Sequence, residues 1–234
     1  MTNAPGFSIG KHRRIALVAG GTGLVGRELV SALIAESSVG AVHVLVRSKN
    51  TELAKRSGIT QHVVDYTRPL GALPPADDAF CCLGTTIKVA GSQAAFRAVD
   101  FDAALAFARA AREAGATRLG VVSALGADVA SSVFYNRVKG ELEQAVKTLG
   151  FACVLLARPS LLLGDRATLG QPTRIGERIG AALNVPLKWV LPDSVRPIEA
   201  RTVALGLMRA VHQCDRPGVF TVPSHELQVL GRDS

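Results

Sequence analysis

Aromatic residues are scarce in this chain: eight Phe, two Tyr and one Trp among 234 residues. The core it can build is therefore aliphatic. Cysteine is sparse as well, at Cys81, Cys82, Cys153 and Cys214. No two are spaced Cys-x-x-Cys and no histidine stands at ligand spacing from them, so no metal is expected. Cys81, Cys82 and Cys153 lie in apolar runs, where cysteine serves as a small buried hydrophobe. They read as core thiols of a reducing compartment. No apolar run approaches a membrane span. Residues 1–14 lack a secretory apolar core and end in Lys11-His12-Arg13-Arg14. The expectations are no membrane partner and a cytoplasmic location. Lys and Arg outnumber Asp and Glu by 27 to 19, yet they form no run of five and do not interleave with aromatics. That argues against nucleic acid and leaves a generally basic surface or an anionic small ligand.

What the chain does have is apolar content, 48% against 20% charged, enough for a folded domain of ordinary α/β size. Beyond a loose tail at residues 1–13, apolar strand-like segments alternate with helical ones. Strands are expected at 14–19, 41–46, 62–64, 79–83, 118–123 and 151–157. Helices are expected at 24–35, 51–57, 92–114 and 134–149. Phe96, Val99, Ala103, Ala106, Phe107 and Ala110 recur near the helical period in the third of these, and Val138, Leu142, Val146 and Leu149 in the fourth. Near-continuous apolar strands separated by helices imply a parallel sheet covered on both faces. Right-handed crossovers then give an α/β doubly wound parallel-sheet Rossmann fold, a single domain over residues 14–234. Regularity falls after residue 157. Prolines punctuate 158–197, with an amphipathic helix near 173–183, then a helix at 199–212, a strand at 219–222 and a last turn at 225–230. Residues 158–234 are read as the substrate side, a small C-terminal cap.

The first strand runs into Gly20-Gly21-Thr22-Gly23-Leu24-Val25-Gly26, where a helix begins. Strand, tight turn and helix N-terminus together aim backbone N–H groups and the positive helix end at one point, a site for a pyrophosphate. Gly20, Thr22, Gly23, Leu24, Val25 and Gly26 are the candidate contacts. A protein selective for NAD carries Asp or Glu at the end of the second strand, whereas Arg there accommodates a 2′-phosphate. This chain has Arg47, then Ser48 and Lys49, which favours NADP(H) over NAD(H). The alternative is a solvent-facing Arg at a strand end. Asp65, closing the third strand, suits an adenine amino group or its own loop. Leu83, Gly84 and Thr85 end the fourth strand where the chain must pass a cofactor; a plain turn would look the same.

Ser123 ends the fifth strand. Tyr135 and Lys139 stand four apart on the following helix and so share a face. A phenol is a poor base at neutral pH, and an adjacent ammonium favours its ionised form. Such a pair can exchange a proton with a carbonyl or alcohol oxygen while hydride moves to or from a nicotinamide. Ser123 would polarise the same oxygen.

Together, the glycine stretch, Ser123, Tyr135-x-x-x-Lys139 and Arg158-Pro159-Ser160 resemble an atypical short-chain dehydrogenase/reductase over nearly the whole chain. Cys81-Cys-Leu-Gly-Thr-Thr86, Phe134-Tyr-Asn-Arg-Val-Lys-Gly-Glu141 and Arg158-Pro-Ser-Leu-Leu-Leu-Gly-Asp-Arg166 resemble the Tat-interacting-protein branch of that superfamily. The resemblance implies that Lys139 also binds the nicotinamide ribose and that Pro159 and Ser160 line the nicotinamide pocket. The family often completes a proton relay with an Asn from the long helix; here the comparable position offers Asp100. The function expected is NADP(H)-dependent hydride transfer to or from a small carbonyl or alcohol substrate. The alternatives are a cofactor-binding regulator with little turnover, or a nucleotide-sugar epimerase or dehydratase. A homodimer through the 96–110 or 135–149 helices is common in the superfamily, though a core explains both stripes equally. Arg166, Arg174 and Arg178 are candidates to face an acidic substrate group; a solvated helix face accounts for the last two as well.

Overall fold

The computed structural model of the chain describes residues 13–163 and 196–232. Seven parallel strands form its sheet in the order β3-β2-β1-β4-β5-β6-β9. They are β1 (Arg14–Ala19), β2 (Val39–Val46), β3 (Ile59–Val63), β4 (Asp78–Cys81), β5 (Arg118–Val122), β6 (Cys153–Arg158) and β9 (Gly218–Pro223). A separate parallel pair joins β7 (Leu162–Leu163) to β8 (Ile198–Glu199). Strand order reverses between β1 and β4, which lie side by side. That switch point opens a crevice beyond the carboxyl ends of the strands, where ligands bind in this topology.

Eight α-helices occur among the described residues: α1 (Leu24–Ala35), α2 (Thr51–Ala54), α3 (Ile87–Ala90), α4 (Gln93–Arg97), α5 (Ala104–Glu113), α6 (Phe134–Lys147), α7 (Ala200–His212) and α8 (Ser224–Leu230). One face of the sheet buries Val18, Val44 and Phe80 with Leu29, Val30 and Leu33 of α1 and Val203, Leu207 and Val211 of α7. The other buries Leu17, Leu119 and Leu156 with Phe107, Ala108 and Ala111 of α5 and Leu142 and Val146 of α6. Both faces of the strands are thus covered, as their continuous apolar character requires. The stripes at Phe96, Phe107 and Ala110, and at Val138, Leu142 and Val146, are buried within the single chain.

The long helix expected at 92–114 is instead α4, a π-helical segment over Ala98–Ala103, and α5. A π-turn inserts a residue without breaking the apolar stripe, so periodicity does not reveal it. Such turns occur often at functional sites. The short helix α3 was not foreseen. The helix expected near 173–183, Arg166, Arg174 and Arg178 lie outside the described residues.

One expectation is overturned here. Cys153 and Cys214 are not free thiols but a disulfide, with Cα atoms 6.7 Å apart. Cys153 opens β6 and Cys214 follows α7, which packs back over β5 and β6. Only that packing brings together two positions 61 residues apart. Cys81 and Cys82 are free.

Candidate active site

The turn after β1 is built from close backbone approaches. Gly20 has φ of +79°, and a Cβ there would fall 2.5 Å from the Cys82 carbonyl oxygen. A Cβ on Gly26 would fall 2.1 Å from the Gly20 carbonyl oxygen. Glycine at both positions lets the turn lie against β4 and lets α1 pack on the turn. The Gly23 N–H donates to the Gly20 carbonyl at 2.9 Å. Gly23 is also the N-cap of α1, with no side-chain cap and no acidic residue in the first turn. The first N–H groups of a twelve-residue helix are left without a side-chain acceptor, and an anion satisfies such donors. These residues fit a dinucleotide pyrophosphate.

One cavity lies beside this helix end. Gly23, Leu24, Val25, Leu83, Gly84, Thr85, Ser123, Tyr135 and Lys139 all line it, together with Cys82 and Asp100. Residues predicted from four separate stretches of sequence therefore meet. Gly20 and Gly26 shape the turn behind it. Thr22 is exposed, and so is Arg47 at the end of β2. Asp65 is engaged elsewhere: its carboxylate accepts from the Thr67 N–H at 2.9 Å and the Thr67 hydroxyl at 2.7 Å. Of its two expected uses, the loop cap is the one formed. Pro159 is buried, and its carbonyl accepts from the Leu125 N–H at 3.0 Å. The Ser160 hydroxyl donates to the Arg196 carbonyl and accepts from the Ser224 hydroxyl at 3.0 Å.

Lys139 is buried on α6, and its ammonium stands 2.8 Å from a carboxylate oxygen of buried Asp100. The other Asp100 oxygen accepts from the Thr85 N–H at 2.8 Å. Burial by itself pushes Lys139 down, but the charge of Asp100, followed by that of Tyr135, outweighs it and holds the ammonium above the ordinary lysine value. Gly84 lies over this pair: a Cβ there would be 3.5 Å from Asp100 Oδ1 and 3.8 Å from Lys139 Nζ. Tyr135 is half-buried, its ring tilted against buried Phe96 with centroids 5.4 Å apart. Burial, then the neighbouring Cys81, pushes the Cys82 thiol far above the usual thiol range, so this cavity cysteine is not a thiolate nucleophile at neutral pH.

Ser123 differs from its expected part. Its hydroxyl donates to Glu143 Oε1 at 2.6 Å, and both residues are buried. Glu143 also pairs with Arg158 through both oxygens, at 2.9 and 2.5 Å. The only hydrogen of Ser123 is therefore spent away from the cavity, and polarising a substrate oxygen by donation is not available in this arrangement. Asp100 and Glu143 are the two residues that sequence reasoning underused. Glu143 had a signal, since Tyr135, Lys139 and Glu143 follow one another at i, i+4 and i+8 on one helix face.

Residues 20–166 match the family model described as NAD(P)H-binding. The chain is 33% identical to Protein FMP52, mitochondrial, of Coccidioides immitis over 92% of its own length and 95% of that protein. It is 36% identical to rat Protein HTATIP2 over 76% of its length and 74% of that protein. Among solved structures, the enzyme WbmF of Bordetella bronchiseptica in complex with NAD+ has the same fold. The TM-score is 0.65 at 16% identity, covering 94% of this chain and 77% of that one. The FMP52 relatives of Coccidioides, Emericella and Eremothecium are all named mitochondrial, which overturns the cytoplasmic expectation. That expectation rested on the lack of a secretory core and of a membrane-span-length apolar run, and neither excludes a mitochondrial address. Glycine turn, sheet order and relatives agree: the chain belongs to the NAD(P)H-binding Rossmann family, in the branch that contains HTATIP2 and FMP52.

Proposed function

We propose that the protein is an NADP(H)-dependent oxidoreductase that transfers hydride to or from a small carbonyl or alcohol substrate. The observation that carries this reading is the shared cavity, lined both by the N-terminal turn of α1 and by Tyr135 and Lys139. The nicotinamide, when bound, supplies or takes up the hydride. Gly20, Thr22, Gly23, Leu24, Val25 and Gly26 would hold the pyrophosphate. Leu83, Gly84 and Thr85 would flank the cofactor at the end of β4, and Pro159 and Ser160 would border its nicotinamide side. Asp65 is assigned to the adenine end, which requires it to release or share its Thr67 contacts. Tyr135 gives a proton to, or takes one from, the substrate oxygen. Lys139 favours the ionised phenol and binds the nicotinamide ribose. Arg47, exposed beside Ser48 and Lys49 and with no acidic residue at that strand end, is assigned to the 2′-phosphate.

A second reading, a cofactor-binding regulator with little turnover, draws on the Asp100–Lys139 pair. A neutralised ammonium does less to ionise Tyr135. Two measurements separate the readings. Fluorescence titration with NADPH and NADH should show tighter NADPH binding in the parent and loss of that preference in Arg47→Ala; equal affinities in the parent refute the 2′-phosphate assignment. Turnover should be found across a panel of aldehydes and ketones and abolished in Tyr135→Phe with NADPH affinity kept. Tight NADPH binding with no turnover of any compound replaces the first reading by the second.

A further inference from the structure

We propose that Glu143 is the positioning residue of this site, fixing the Ser123 hydroxyl so that it presents a lone pair, not a hydrogen, to the cavity. Three observations converge. First, the Glu143 carboxylate is buried on α6 and paired with Arg158 through both oxygens, so it can only accept. Second, Ser123 Oγ lies 2.6 Å from Glu143 Oε1, and a hydroxyl that close to an acceptor-only group must donate its one hydrogen. Third, Ser123 still lines the cavity that Tyr135 enters. What the serine offers inward is therefore acceptor capacity, for the Tyr135 phenol or for a hydroxyl on the ligand.

The arrangement is costly to build and hard to explain as filler. A buried carboxylate with a paired guanidinium rarely gains stability over apolar packing of the same volume. Here the pair sits directly behind a cavity residue and dictates the direction of its hydrogen bond. A serine locked as acceptor favours the protonated phenol, the form that can deliver a proton to a carbonyl oxygen. Cutting the tie to Glu143 frees the hydrogen to turn inward and stabilise a phenolate. The other ionisable groups lining the cavity are Cys82, Asp100 and Lys139.

The inference rests on reading Tyr135 as the proton donor of the site, but its test needs no substrate. The chain has two tyrosines, and burial, then Cys81, holds the Tyr66 phenol far above the usual range. Tyrosinate absorbance that survives Tyr66→Phe therefore reports Tyr135. In Glu143→Leu, which leaves Ser123 no acceptor there, the Tyr135 midpoint should move to lower pH by on the order of one unit. In the Ser123→Ala background, Glu143→Leu should add no shift, because the hydroxyl that carries the effect is gone. An equal shift in both backgrounds means that the lost charge acts directly on Tyr135 and overturns the proposal, as does no shift in either. Should Glu143→Leu fail to fold, Glu143→Asp keeps the charge and withdraws the carboxylate from Ser123. The same direction of shift is then expected, again absent in Ser123→Ala. A protein with no turnover leaves this titration readable, so failure of the oxidoreductase reading and failure of the positioning role are seen separately.

Discussion

Asp100 and Lys139 face each other across 2.8 Å, one from a π-turn and one from α6, with both side chains nearly sealed from solvent. Their separation in sequence hides a single electrostatic unit that also anchors the Thr85 backbone. The pair joins the loop after β4 to the helix that carries Tyr135.

Removing one partner of a buried pair leaves the other charge uncompensated, at a cost of about 3–5 kcal/mol. Asp100→Ala should lower stability by that order in urea unfolding. Asp100→Asn should cost less, since its amide oxygen still accepts from Thr85. Lys139 is held above the ordinary lysine value by Asp100 and Tyr135 against the opposing effect of burial. The stabilisation from that shift is therefore complete below about pH 10.4 and is lost as pH rises through the raised value. Unfolding free energies followed into the alkaline range test the sign: the gap between parent and Asp100→Ala should hold at neutral pH and close only at the alkaline end.

At the N-terminal end of the central strand β4, Asp78 is fully buried, bound by Arg14 through both oxygens and approached by His212 Nε2 at 3.6 Å. Burial holds His212 below the ordinary histidine value; Asp78 and Glu36 oppose this, while Arg14 and Arg118 reinforce it. The folded chain keeps the ring neutral, whereas the unfolded chain protonates it near pH 6.5. Stability from this group is present above that pH and lost as pH falls through and below it. His43, lowered by burial and by His62, acts in the same direction. His212→Asn should be less stable than the parent at pH near 7.5, with the difference shrinking toward pH near 5. A difference that widens on acidification would reverse the assignment.

Gly26→Ala forces a methyl onto the Gly20 carbonyl oxygen, a backbone atom with nowhere to go. Overpacking of this kind costs roughly 1–3 kcal/mol. The variant should melt lower and bind NADPH more weakly, because α1 must withdraw from the turn that it completes. Gly23→Ala is the control: its Cβ meets the same carbonyl oxygen of Gly20 at 3.3 Å, so its stability loss should be smaller. Calorimetry and cofactor fluorescence on the two variants rank them.

The Cys153–Cys214 bridge predicts a thiol count. Protein purified without reductant and opened in denaturant should titrate two thiols, Cys81 and Cys82, rather than four. Reduction or Cys214→Ser should lower stability by about 2–4 kcal/mol. Four reactive thiols from freshly opened protein would mean that the bridge does not form in solution.

Much of the fold was legible before any coordinates. Apolar runs such as Ile15–Ala19 and Val154–Ala157 are confined to buried parallel strands, and the alternation of such runs with helical stripes leaves little but a doubly wound sheet. The cavity-lining set was legible wherever a residue type is tied to local backbone geometry, as at Gly23 in its turn or Tyr135 four residues before Lys139. Legibility failed wherever a polar group has a choice of partner. Asp65 reads equally well as an adenine contact and a loop cap, and its carboxylate closes on Thr67. Ser123 reads as a donor toward substrate, yet its hydrogen goes to Glu143.

The amino-acid sequence by itself determined the strand and helix order, the glycine turn at the switch point and the shared helix face of Tyr135 and Lys139. These follow from backbone sterics and from hydrophobic periodicity, which act over a few residues. Only the tertiary structure decided that Asp100 pairs with Lys139, that Glu143, held by Arg158, takes the hydrogen of Ser123, and that Cys153 reaches Cys214. Each of these links joins separate parts of the chain. A buried polar or sulfur group takes whatever partner the packed neighbours supply, and that choice is made only when the elements come together.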